Sequence, residues 1–195
     1  LPAGGSKVFG DQLFGKTVLY KNAIILDVLS LGSSVLFQDV DMIWFKDPLD
    51  HLEHHCSGGD IWANYDGPNG LYAPIHANTG FLYVHPSATS KVLFETTLRN
   101  STSILHERNE QVPLNRIFDF FRRHNALNIE ILPQHLFLNG HLFNLERGVS
   151  PEAGNWQQDG FVFHYSWTGD RNEKVEKLDK FGMNYTSLKP INLIG

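Results

Sequence analysis

The chain has 195 residues, of which 42% are hydrophobic and 12% aromatic. This length and composition are sufficient for a packed core and exclude a disordered protein. The formal net charge is −5 at pH 7, and lysine and arginine form no dense run, so we expect no nucleic-acid partner. The sequence contains no apolar run long enough to span a membrane and no visible leader peptide. Its first residues look like a cut end or a loop, and a native anchor or leader could have been lost.

Helical and extended patterns alternate along the chain. This alternation predicts a single α/β domain over residues 1–195, with an irregular segment at 1–15 and a central, mixed but mostly parallel sheet flanked by helices. The predicted helices cover residues 17–31, a short segment from Pro48, 87–99, 110–123 and 173–181, with Gly32 and Gly182 as stop signals. The predicted strands cover residues 34–38, 42–45, 60–66, 79–84, 129–132 and 161–165.

Two further features bear on compartment and reactivity. The single cysteine, Cys56, lies in a predicted loop, and we do not expect a catalytic thiol there. Two glycosylation sequons begin at Asn100 and Asn184, both in polar segments next to predicted helix ends where a glycan would fit. Together the sequons indicate the secretory pathway, either the Golgi lumen or secretion.

The triplet Asp39-Val40-Asp41 stands at the carboxyl end of a nearly continuous apolar run. If the strand continues through it, both carboxylates point to one face while Val40 points to the other. Carboxylates this close repel each other unless a cation lies between them, and Mg²⁺ or Mn²⁺ prefers such oxygens and shares them with phosphate. The triplet therefore predicts a site for a metal ion and a diphosphate. A solvated turn is the alternative interpretation.

Four segments carry a family resemblance when they are taken together. The first runs from Leu31 to Pro48, around the acidic triplet, and the second is Asn78 to Val84. The third is Glu110-Gln111 with a following Asn115, and the fourth is His164 to Trp167. In this order, over roughly residues 16–183, they resemble the motifs of the nucleotide-diphospho-sugar transferase family, glycosyltransferase family 77.

The resemblance implies a GT-A (Rossmann-like) fold, a sugar-nucleotide donor that is usually a UDP-sugar, Mn²⁺, and transfer with retention of anomeric configuration. The family usually has an additional βα unit before the Lys16 helix, where it helps to bind the nucleoside. Only residues 1–15 precede that helix here, so we expect this unit to be missing. Glu110 also stands where aspartate is commoner, which keeps the charge but moves the carboxylate one methylene further out.

Further candidate residues each have a structural alternative. His164 ends a short apolar strand and is a candidate third metal ligand. Its place in the family motif makes this interpretation equal to that of a purely structural histidine. Lys174, near a predicted helix start, could neutralise a leaving pyrophosphate or be an ordinary surface lysine. Lys21 could reach the donor phosphates or extend its ammonium group to solvent along an apolar helix face.

The remaining candidates would contact sugar. Asn78, Thr79 and Gly80 open a strand with small polar groups suited to sugar hydroxyls, although any loop-to-strand entry can look alike. Glu110 and Gln111 are candidates to stabilise a cationic sugar in the transition state, although acids are favoured at any helix start. Asp66 is a candidate contact to the donor sugar or the acceptor, unless it only forms a turn. Trp167 could stack on a sugar or be buried in the core.

These expectations define the predicted activity. A sugar of galactose, xylose or arabinose type moves from a UDP-sugar to a glycan or glycoprotein acceptor, with the metal held by Asp39, Asp41 and His164. A non-catalytic glycan- or protein-binding module on the same fold is the main alternative. A metal-dependent phosphohydrolase ranks last, because the sequence shows no evident pair of nucleophile and base for it.

Overall fold

A computed structural model describes residues 12–107, 109–141, 159–168 and 171–180 of the chain. Its helices are α1 (Gln12–Ser30), α2 (Leu49–His55), α3 (Ala88–Arg99), α4 (Ser101–Glu107), α5 (Gln111–Arg123) and α6 (Arg171–Lys180). Its strands are β1 (Val35–Gln38), β2 (Met42–Trp44), β3 (Ile61–Tyr65), β4 (Ala77–Val84), β5 (Ile129–Ile131), β6 (Phe137–Asn139) and β7 (Val162–His164), and a 3₁₀ turn covers Gly70–Tyr72.

The end of α1 confirms the stop predicted at Gly32. Gly32 has a φ of +83° and its N–H donates to the carbonyl of Leu29 at 3.0 Å, while the N–H of Ser33 donates to the carbonyl of Val28 at 3.4 Å. This pair of bonds is a Schellman motif, which requires the left-handed conformation that glycine adopts most easily. The start of α1 lies at Gln12, earlier than the predicted Thr17.

Two other helices begin where the sequence predicts. Ser87 caps α3: its hydroxyl accepts from the N–H of Ser90 at 3.0 Å, and the Ser90 hydroxyl accepts from the N–H of Ser87 at 3.0 Å. Helix α5 follows Glu110, and Pro113 sits in its first turn, where the missing N–H costs nothing. The remaining predicted elements are present with small differences at their ends.

The strands form two mixed sheets. The first has the order β1-β4-β3-β5, with β4 antiparallel to both neighbours and β5 parallel to β3. The second has the order β2-β7-β6, with β2 antiparallel and β6 parallel to β7. The mixed α/β class is confirmed, but the expectation of a mostly parallel sheet is wrong. Residues 66–76 join β3 to β4 without an α-helix, too short a link for a parallel crossover, so these strands pair as neighbours in opposite directions.

Strand β4 is the centre of the core, and all eight of its residues are buried. Leu82 and Val84 belong to the apolar cluster that includes residues of α1, α3 and α5. Phe81 and Tyr83 point to the opposite face, where they join a cluster with α2, β6 and β7. A strand covered on both faces is expected to be apolar throughout, which explains why this segment is easy to find in the sequence.

The segment from Asp39 to Asp41 is the link between the two sheets. Strand β1 ends at Gln38 in the first sheet, and β2 begins at Met42 in the second. The prediction that residues 42–45 continue the strand of residues 34–38 is therefore wrong. The triplet is a turn, and the Val40 side chain on it is fully exposed.

Two elements were missed. Helix α4 buries one residue, Ile104, and follows α3 after Asn100, so its periodic signal is weak. Strand β6 has three residues and comes soon after Pro133. Asn100 itself is exposed at the α3–α4 junction, while Asn184 and the stop at Gly182 lie outside the described residues. Among the described helices, none is long and apolar enough to cross a membrane.

We expect Gly32→Ala to lower the free energy of unfolding by about 1–2 kcal/mol, because a Cβ at a left-handed position is strained. An added Cβ would meet nothing within 4 Å, so the loss would report conformation alone. Urea denaturation measures it, with Gly58→Ala as control, since that position is equally open and has no positive φ. Equal losses for the two variants would contradict the left-handed cap.

Candidate metal centre

Asp39, Asp41 and His164 bring one ligand atom each into a group whose members all lie within 4.8 Å of one another. His164 Nε2 is 3.3 Å from Asp41 Oδ1 and 4.0 Å from Asp39 Oδ2. Two ligands at right angles around a small divalent ion lie about 3 Å apart, so small side-chain adjustments bring this set to coordination distance. Two carboxylate oxygens and one imidazole nitrogen form a donor set that suits Mn²⁺ or Mg²⁺.

Backbone pairing explains why residues so distant in sequence meet here. In the antiparallel pair of β2 and β7, Met42 stands opposite His164, and the N–H of Tyr165 donates to the carbonyl of Asp41 at 3.2 Å. Asp39 is held on the other side, because its N–H donates to the carbonyl of Gly80 in β4 at 2.7 Å. The two sheets therefore supply one side each of the same site.

Gly80 is the point of closest approach. A Cβ added to Gly80 would lie 2.5 Å from Asp39 Oδ2 and 2.5 Å from His164 Cε1, which is closer than atoms can pack. Only a residue without a side chain lets the carboxylate and the imidazole meet above β4. The predicted contact of Gly80 with sugar stays a prediction, and the structure adds this spatial role.

Cations surround the two carboxylates. Lys174, in the first turn of α6, donates to Asp41 Oδ2. Burial alone would raise the pKa of Asp41, but its hydrogen bond to His164 and the charges of His164 and Lys174 outweigh that effect and hold this pKa well below the usual range. Asp41 therefore remains ionised and available as a ligand throughout the physiological pH range.

Lys21 is buried and points into the site rather than toward solvent along the helix. Its Nζ donates to Glu110 Oε1 and to the carbonyl of Thr79, each at 2.6 Å, and lies 3.9 Å from Asp39 Oδ1. The ammonium group also lies 4.5 Å from the centre of the Phe37 ring. Lys21 thus connects the acidic triplet to the start of α5.

Asn115 places Glu110 and Gln111 beside β4. Its side-chain amide donates to the carbonyl of Ala77 at 2.8 Å and accepts from the N–H of Ala77 at 2.9 Å. One turn earlier on α5, Gln111 Oε1 accepts from the N–H of Thr79 at 3.1 Å, and Glu110 Oε1 accepts from the Thr79 hydroxyl at 3.2 Å. These contacts explain the spacing of the Glu-Gln pair and the following asparagine.

Asp66 continues the polar network away from the metal ligands. Its Oδ1 accepts from Asn78 Nδ2 at 2.5 Å, and Asn78 Oδ1 accepts from the N–H of Gly80 at 2.8 Å. Burial raises the pKa of Asp66, against the opposing effects of hydrogen bonds from Asn78 and Gln111. Asp66 thus links the loop after β3 to the β4 residues beneath the metal ligands.

The candidate residues thus form one continuous site, although their roles stay predictions. The side chain of Val40 is exposed on the turn, and its part in the diphosphate site stays a prediction. Sequence reasoning missed His141 and Tyr72, two residues that interact with Asp66, because their surrounding segments carry no chemical motif. Cys56 is buried, and burial with the nearby Glu130 raises the pKa of its thiol to about 11, which agrees with the expectation that it is not catalytic.

Residues 2–178 match the family model described as nucleotide-diphospho-sugar transferase. Three relatives in Arabidopsis thaliana are similar to the chain. A UDP-D-xylose:L-fucose α-1,3-D-xylosyltransferase is 40% identical over 90% of the chain and 49% of its own length, and a second one is 26% identical over 93% and 53%. A β-arabinofuranosyltransferase is 26% identical over 87% of the chain and 34% of its own length. The chain spans about half of these relatives, or less.

Two solved structures also match at low identity. One is a glycosyltransferase involved in glycosylation of the major capsid of PBCV-1, with a TM-score of 0.49, 12% identity, and coverage of 94% of this chain and 80% of that one. The other is the galactosyltransferase LgtC in complex with donor and acceptor sugar analogues, with a TM-score of 0.48, 11% identity, and coverage of 80% and 64%. From the match to the family model, the chain belongs to the nucleotide-diphospho-sugar transferase family, as the resemblance indicated.

We expect Gly80→Ala to weaken Mn²⁺ binding at least tenfold, because the new methyl group separates Asp39 from His164. Titration calorimetry on the refolded and spectroscopically checked variant measures the affinity. Gly70→Ala is the control, since its Cβ would meet nothing within 4 Å. Unchanged Mn²⁺ affinity in Gly80→Ala would contradict the assignment of these three ligands.

We expect Lys21→Met to lower the free energy of unfolding by about 3–5 kcal/mol, because it leaves the Glu110 carboxylate buried without its cation. The double variant Lys21→Met/Glu110→Gln should recover part of this loss. Urea denaturation provides all three values. The exposed pair Arg116–Glu107 is the control, since Arg116→Met should cost no more than about 1 kcal/mol. If Lys21→Met lowers the free energy of unfolding no more than Arg116→Met does, the Lys21–Glu110 ion pair is not buried in solution.

Proposed function

We propose that this chain carries the active site of a glycosyltransferase that moves a sugar from a UDP-sugar to a hydroxyl group of a glycan or glycoprotein. The observation that carries the proposal is the group of Asp39, Asp41 and His164 with Lys174 bound to Asp41. Anionic ligands that converge next to a lysine suit a metal ion shared with a diphosphate. Membership of the nucleotide-diphospho-sugar transferase family supports the same activity.

Asp39, Asp41 and His164 would hold Mn²⁺ or Mg²⁺. When bound, the ion would offset the negative charge that develops on the leaving nucleotide diphosphate. Lys174 adds a positive charge at the same place, and the N-terminal end of α6 adds the partial charge of its helix dipole. Both features lower the free energy of the separated diphosphate relative to the intact donor.

Glu110 and Gln111 would act on the sugar itself. The ion pair with Lys21 and the Thr79 hydroxyl fix the Glu110 carboxylate, and Gln111 is fixed by the N–H of Thr79. Their oxygens can stabilise positive charge at the anomeric carbon while the bond to the nucleotide breaks. We propose attack by the acceptor hydroxyl on the face from which the nucleotide leaves, which retains the anomeric configuration.

Xylose and arabinose are the first donor sugars to test, because the similar proteins of Arabidopsis are named for transfer of these pentoses. Galactose follows. We further propose that the protein works in the secretory pathway, probed by glycosylation at Asn100, which the structure leaves exposed. This assignment rests on the sequon rather than on the site.

The test is release of UDP. We expect the 195-residue chain to release UDP from at least one of UDP-xylose, UDP-arabinose and UDP-galactose in the presence of Mn²⁺ and an acceptor glycoside. Asp41→Asn should lower that rate at least 100-fold, whereas Glu95→Gln, an exposed acid on α3, should leave it unchanged. Undiminished turnover in Asp41→Asn would overturn the metal role. UDP binding without turnover of any donor would instead favour the binding-module alternative.

A further inference from the structure

Trp167 is held in an unusual backbone conformation. Its φ is +60°, in the left-handed region that bulky residues rarely occupy. Such a conformation costs about 1–3 kcal/mol and persists only where the surrounding structure imposes it. Trp167 lies three residues after the candidate metal ligand His164, beyond the end of β7.

The indole ring is fixed on the loop that follows β3. Its N–H donates to the carbonyl of Asp66. Gly67, with a φ of +112°, provides the space: a Cβ there would lie 3.0 Å from the Trp167 ring and 2.8 Å from the ring of His141. The His141 and Trp167 rings are 4.8 Å apart between centroids and inclined at 49°. Glycine at position 67 is thus required for both rings to sit there.

Nearly half of the Trp167 surface nevertheless remains exposed. Trp167 is 46% exposed, whereas Phe163 and Tyr165 on the same segment are about 1% exposed. Burial in the core therefore does not explain the position of Trp167. A strained, hydrogen-bonded and half-exposed indole presents a preorganised apolar surface, which is a common way to bind the C–H face of a sugar.

The open ring adjoins the polar network of the site. Asp66 holds the indole through its backbone carbonyl. Its buried carboxylate accepts from the side-chain amide of Asn78, and Asn78 Oδ1 accepts from the N–H of Gly80 beneath the metal ligands. Through these bonds Asp66 connects the indole of Trp167 to the β4 backbone beneath the metal ligands. Carboxylate oxygens accept hydrogen bonds from hydroxyl groups.

We infer that Trp167, seated on Gly67 beside His141, is a stacking surface for the acceptor sugar, an uncharged pyranose whose hydroxyl groups bind the Asp66 carboxylate. That the bound sugar is the acceptor rests on the proposed function, but binding of the sugar to Trp167 can be measured without turnover. A carboxylate next to an aromatic face matches the alternating hydroxyl and C–H surfaces of a sugar ring. The nucleotide diphosphate, in contrast, would lie near Lys174 and Lys21, the cations beside Asp41 and Asp39.

The experiment is saturation-transfer NMR on the full chain with UDP and Mg²⁺, with methyl glycosides of L-fucose, D-galactose and L-arabinose as probes. We expect ring-proton signals from at least one glycoside with the wild-type chain. Trp167→Ala should weaken its binding about tenfold, the effect of losing a stacking contact worth about 1.4 kcal/mol. Trp167→Phe should keep most of the affinity, because it retains an aromatic face.

The control is Phe120→Ala, since Phe120 is 59% exposed on α5 and lies well away from the start of that helix. This variant should bind the glycoside and UDP as the wild-type chain does. Equal glycoside binding by Trp167→Ala, or no glycoside binding by the wild-type chain, overturns the inference. Weaker UDP binding with unchanged glycoside binding also overturns it, because the ring then holds the nucleotide base.

Release of UDP to water, measured without acceptor, separates the inference from the proposed function. Trp167→Ala should keep the wild-type rate of this hydrolysis, and with acceptor it should raise the acceptor KM about tenfold while the donor KM stays within twofold. If the wild-type chain releases UDP from no donor, with or without acceptor, but binds a glycoside through Trp167, the proposed transferase function fails and the sugar surface stands.

Discussion

The absence of a side chain at Gly80 is the constraint on which the site depends. Asp39 leaves the first sheet and His164 ends a strand of the second, and both approach the same point above β4. A methyl group at Gly80 would occupy the space that the carboxylate and the imidazole share. The backbone bond from Asp39 to the Gly80 carbonyl fixes the distance on one side, and the β2–β7 pairing fixes it on the other.

Charge compensation decides how the rest of the network is arranged. Asp39, Asp41 and Glu110 are three carboxylates in one region, and their mutual repulsion would be costly without cations. Lys21 is close to both Glu110 and Asp39, and Lys174 binds Asp41. Lys21 belongs to α1 and Lys174 to α6, and both helices lie outside the sheets. The packing of these two helices and the arrangement of the site therefore depend on each other.

The sequence was informative where local chemistry and pattern agree. The stop at Gly32, the cap at Ser87 and the apolar strand around Phe81 are local signals, and the structure confirms them. Asp39, Asp41 and His164 were grouped from a strand-end argument and a family resemblance, and they do lie together. The strand argument itself was wrong in detail, because the triplet is a turn between two sheets rather than a continuing strand.

The remaining features depend on distant packing that no local pattern records. The sequence left open whether Lys21 reaches the donor phosphates or extends to solvent, because its partner Glu110 lies far along the chain. The antiparallel direction of β4 follows from a short link that carries no helix. The backbone conformation of Trp167 could not be predicted from its own segment. The residues that hold its ring, Asp66 and Gly67, lie about one hundred residues earlier, in the loop after β3.

The central claim is that Asp39, Asp41 and His164 hold a divalent ion together with the diphosphate of the donor. Pulsed electron paramagnetic resonance of Mn²⁺ bound to the chain tests it most directly. We expect a ¹⁴N coupling from one imidazole that disappears in His164→Ala, and a ³¹P coupling that appears when UDP is added. Bound Mn²⁺ with no imidazole coupling, or with no phosphorus coupling at saturating UDP, would contradict it.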